Sequence, residues 1–175
     1  MNRRWYGYGV ALLCIGGDIA WGGMFSGWRM IINVPVLVLI VITVLDGLTI
    51  GAIAAVVIGL LFSYVTAVGG SMYVIGCLGA TIITWLISQR VVTSRSTASF
   101  LASIIAGTVT YGGLVIGIGL LEAALNHQHI HVDTVTMLYA TLCQCVTHPV
   151  LLSILWRVLG RDRYGRVTTS LYQSF

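Results

Sequence analysis

The apolar positions of this chain do not alternate, and over long stretches they leave no polar face either. Alternation by two marks a half-buried strand, whereas a 3.6-residue period marks a helix with one wet side. Runs such as Val34–Leu45 and Ala52–Phe62 are apolar all the way around a helix. Such continuity over about 20 residues belongs to a helix that meets lipid or other helices on every side. A closed β-barrel also satisfies its backbone in a bilayer, but it needs the alternation that these runs lack. The pattern predicts an all-α polytopic transmembrane helical bundle with six spans, at Tyr8–Phe25, Met30–Leu45, Leu48–Ala67, Ser71–Ser88, Phe100–Leu121 and Val135–Leu159. The second is short for a full crossing, and it meets the third at a tight Asp46–Gly47 join. The sixth is long and carries Pro149, a reason for a kink.

Composition strengthens this reading. Of 175 residues, 58% are hydrophobic and only 8% charged, where a soluble domain needs roughly a quarter charged to cover its surface. The whole chain reads as one integral membrane domain, with residues 160–175 as a tail. The opening "MNRRWYGYGVALLCIGGDIAWGG" starts like a signal peptide, but Asp18 interrupts its apolar run and more apolar sequence follows. A retained first helix is expected rather than a cleaved leader.

Charge gives orientation. The nine basic residues are all arginine. With the N-terminus inside, Arg3, Arg4, Arg90, Arg95, Arg157, Arg161, Arg163 and Arg166 lie on the cytoplasmic side, and Arg29 alone lies opposite. The positive-inside rule thus expects both termini in the cytoplasm. A pI near 9.1 then reports membrane orientation and anionic lipid contact rather than nucleic-acid binding. Cys14, Cys77, Cys143 and Cys145 fall in apolar segments without a CxxC pair, so neither a disulfide framework nor a zinc ribbon is expected.

Small residues recur every four positions, at Gly51, Ala55 and Gly59 and again at Gly113 and Gly117. These stripes allow helix backbones to approach closely, within the chain or against another membrane protein. Polar intrusions are few. Asp18 falls in the first span, where it could pair with an arginine or accept from hydroxyls. Asp46 is placed to make the turn and cap the third helix with its carboxylate, and Glu122 to end the fifth span in water.

In "CQCVTHP", Cys145 and His148 share a helix face while Cys143 points elsewhere; a histidine hydrogen-bonded inside the bundle is expected there. In "LNHQHIHVD", an extended backbone sets His127, His129 and His131 on one side, a weak metal site or simply a polar outer connection. Walker A, GxSxG and HExxH motifs are absent, so neither an enzyme nor a cofactor is expected.

From Asn33 to Leu86 the chain resembles the rod shape-determining protein MreD family. Pro35 opens an apolar helix, Gly51, Gly59, Leu60 and Leu61 form a glycine-rich one, and Gly69 and Gly70 fall at the following loop. Thr93–Leu101, "TSRSTASFL", matches that family's polar cytoplasmic turn. Ser63 departs from it, standing where an acidic residue is usual, so any role of that carboxylate does not carry over. The resemblance implies a non-enzymatic assembly protein of the cell-wall elongation machinery, with an MreC-like membrane partner docked near Gly51, Ala55 and Gly59. S-components of energy-coupling-factor transporters have a similar six-helix fold. They imply the alternative, a vitamin- or metal-binding transporter subunit with the histidine loop as its lid.

Overall fold

A computed structural model describes residue 16 and residues 32–66, 70–91, 97–125 and 134–159. Those residues form helices: α1, Val34–Asp46; α2, Leu48–Thr66; α3, Gly70–Val91; α4, Thr97–Leu125; and α5, Thr134–Leu159. The boundaries of α2 to α5 fall within a few residues of the four spans expected there. The first expected span, Tyr8–Phe25, lies outside the described residues apart from Gly16.

Among the described residues, three helices are long and apolar enough to cross a membrane, within α3, α4 and α5. α2 and α1 are shorter apolar helices. With 13 residues, α1 is about 20 Å long at 1.5 Å per residue, short of a hydrocarbon core of about 30 Å. The surface of the described bundle is apolar: Ile53 is 63% exposed, Leu60 58% and Leu121 58%. Water would penalise such a surface, and lipid does not.

α1 starts after an asparagine N-cap. The Asn33 side chain accepts from the Val36 N–H at 3.2 Å, and Pro35 sits in the first turn, where no backbone donor is lost. It stops at Gly47, whose φ of 86° few other residues adopt cheaply. Gly47 donates its N–H to Thr43 and accepts at its carbonyl from the Gly51 N–H, both at 3.1 Å. Gly47 therefore closes one helix and opens the next, and it takes the capping position expected for the Asp46 carboxylate.

α3 packs between α2 and α4, α5 packs on α4, and α1 inserts against α2, α3 and α4. The most enclosed side chains come largely from α1, including Val36, Leu39 and Ile40 at 0% exposure. α5 lies at the edge: only 11% of its candidate span is buried, against 39% for α3 and for α4.

The seams close because small residues line them. A Cβ on Gly59 would stand 2.6 Å from the Val74 Cα, so α2 and α3 are in backbone contact. Hydroxyls inside the bundle donate to carbonyls of their own helices, as Thr43 to Leu39, Thr81 to Cys77 and Thr108 to Ile104. This back-bonding lets a polar side chain enter an apolar layer without leaving its hydrogen unpaired.

Candidate functional site

The head of α1 is half-buried, with Asn33 and Val34 partly exposed and Pro35 and Val36 enclosed. A helix leaves its first four N–H groups without intrahelical acceptors, a problem that water solves at a surface. For α1 these belong to Asn33, Val34, Pro35 and Val36. Pro35 has no N–H, and Val36 donates to the Asn33 side chain. The Asn33 N–H reaches across the fold and donates to Nε2 of His148 at 3.3 Å. Only Val34 remains. Asn33, two residues before a proline, and His148 on α5 together replace the missing solvent.

These bonds also fix the histidine. A backbone N–H can only donate, so Nε2 carries no hydrogen and the neutral ring holds its proton on Nδ1. Nδ1 lies 3.1 Å from the Thr108 Oγ1. Thr108 spends its own hydrogen on the Ile104 carbonyl at 2.9 Å, leaving its oxygen free to accept from Nδ1. The tautomer is thus assigned by its partners. His148 is 0% exposed and ties α5 to both α4 and α1.

Depth follows from helix positions. His148 stands 14 residues from the start of α5 and 11 from its end, about 21 Å and 16 Å at 1.5 Å per residue. Measured on the candidate span Thr134–Ile154, His148 stands about 21 Å from one end and about 9 Å from the other. Pro149 follows directly and deprives the Cys145 carbonyl of its usual donor. α5 nevertheless continues as one helix to Leu159.

Beside this cluster, the fully buried Thr84 hydroxyl finds no hydrogen-bond partner among the described residues. It lies against the α carbon of Gly107, where a methyl group would collide with it.

Gly51, Ala55 and Gly59 occupy the internal face of α2. Gly51 lies against Thr43 and Thr81, Ala55 is 0% exposed, and Gly59 meets Val74. The chain's own α1 and α3 lie against Gly51, and α3 against Gly59, where a partner contact was expected. Gly113 and Gly117 are instead exposed, with open space around them. Glu122, expected simply to be hydrated, accepts from the Ser71 hydroxyl at 2.6 Å and ties the ends of α3 and α4.

Cys143 and Cys145 are free and partly buried. No group of three or more metal-ligating side chains occurs among the described residues. Asp18, His127, His129 and His131 lie outside the described residues. His148 is buried and hydrogen-bonded within the bundle. Asn33 and Thr108 escaped the sequence reading. The NVP triplet signals a capped helix start, whereas nothing in the sequence distinguishes Thr108 from its neighbouring hydroxyls. The chain matches no protein-family model, no curated protein and no solved structure.

Proposed function

We propose that the chain is a non-enzymatic integral membrane assembly protein of the MreD-like kind, helping to organise the cell-wall elongation machinery and cell shape. It sits in the inner membrane with six apolar segments and both termini in the cytoplasm, as the arginine distribution expects. One of those segments, α1, is too short to cross unaided.

One observation favours this over the transporter-subunit reading. The described helices meet at closely packed seams. Glycines at the seams leave no room for a methyl, as at Gly51, Gly59 and Gly107. Several of its buried hydroxyls turn back onto their own helices instead of converging on an opening. A ligand-binding subunit needs a concave site with convergent polar groups. A scaffold needs only a rigid bundle and an outward face for its partner.

Purification in mild detergent, with identification of the bound membrane proteins, tests the reading. An MreC-like partner and altered cell shape on depletion are the expected results. Recovery of an energising ATPase pair, or saturable binding of a vitamin or metal, would sink it. Reporter fusions at both termini check the orientation, and an outside-facing terminus would refute it.

A further inference from the structure

The best-supported feature beyond that reading is how α1 is held, and it does not depend on what the protein assembles with. Its head carries a donor that must be paired, because an unpaired N–H in an apolar interior is costly. The pairing comes from a remote helix through one side chain, His148 on α5, at 115 residues' separation. α5 is otherwise the least enclosed of the candidate spans, packed mainly on α4. At its far end α1 turns on the positive-φ residue Gly47. A short helix with a glycine pivot at one end and a single cross-helix bond at its head has the parts of a latch.

We propose that His148 latches the first turn of α1: its Nε2 holds the Asn33 N–H, and losing this acceptor loosens that turn while the rest of α1 stays packed against α2, α3 and α4. The Thr108 hydroxyl sets the ring by accepting from Nδ1, making Thr108 a positioning residue. Two side chains on different helices thus determine how firmly the first turn of a third is held. Imidazole can be replaced here only by a group of similar length that both accepts at the outer atom and donates at the inner one. Glutamine is the one neutral residue of about that size that does both.

The experiment places a single cysteine at Ile32, next to the held residue, in the full chain with its four native cysteines replaced by alanine. Labelling by a membrane-impermeant maleimide is followed in inside-out and right-side-out vesicles. Gln89→Cys and Leu125→Cys serve as references near opposite ends of the bundle. With His148 present, Ile32→Cys should label at least tenfold more slowly than the faster reference on either side. His148→Leu should raise its rate at least tenfold, whereas His148→Gln should leave it protected. Thr108→Val, which removes the ring's inner partner, should give an intermediate rate; it supplies the test if the leucine variant does not accumulate. A cysteine that labels at the reference rate with His148 intact overturns the proposal. So does protection unchanged in both His148→Leu and Thr108→Val, or a glutamine variant as open as the leucine one.

Discussion

Gly59→Ala and Gly113→Ala make the same chemical change on two apolar helices, and the structure predicts opposite signs. At Gly59 the new methyl would meet the Val74 Cα at 2.6 Å and its nitrogen at 2.9 Å. Both are backbone atoms, so no side chain can rotate away. Ordinary contact begins near 3.4 Å, which requires α2 and α3 to part by about 0.8 Å. A gap of that size forfeits roughly a quarter to a half of each affected contact. Overpacking of this kind costs about 1–3 kcal/mol, against which alanine regains about 1 kcal/mol of helix propensity. The expected net loss is up to about 2 kcal/mol. At Gly113 nothing lies within 4 Å, so only the propensity gain remains, up to about 1 kcal/mol. Equilibrium unfolding in mixed micelles, followed by circular dichroism and by steric trapping, measures both variants against the parent. Equal stability of the two, or a more stable Gly59→Ala, would refute the close α2–α3 seam.

Replacing His148 with leucine leaves the Asn33 N–H buried without an acceptor and should cost about 1–3 kcal/mol, with glutamine recovering part of it; thermal unfolding in detergent reads the difference. Gly47→Ala forces a side chain into the left-handed region and should lose about 1 kcal/mol, visible in the same assay. Glu122→Gln weakens a single exposed hydrogen bond to Ser71, so its effect should stay below about 1 kcal/mol. A larger loss would mean that the α3–α4 end is a structural keystone.

The limits of α2 to α5 were legible because long apolar runs bounded by polar and glycine residues have few alternative readings. The start of α1 was not. Met30 continues the apolar run, yet the helix begins after Asn33, where a side-chain cap and a remote histidine satisfy its donors. The sense of the small-residue stripes was equally hidden. Gly51, Ala55 and Gly59 turn inward while Gly113 and Gly117 turn outward, although both read as small-xxx-small. In water an amphipathic pattern has a sign, because only one face tolerates solvent. Between lipid and protein interior the two faces want the same residues, so periodicity gives the stripe without its direction. His148 was visible as a polar intrusion, but its partners lie 40 and 115 residues away and leave no local trace.

The path of hydrogens from His148 ends abruptly. The ring passes its Nδ1–H toward the Thr108 oxygen, and Thr108 passes its own hydrogen to the Ile104 carbonyl. A peptide carbonyl accepts a hydrogen bond but has no proton to hand on. On the other side, Nε2 faces the Asn33 amide, whose proton is not exchanged at ordinary acidity. The histidine thus has each ring nitrogen committed to a partner on a different helix, Thr108 on α4 and Asn33 at the head of α1, and it holds those helices together.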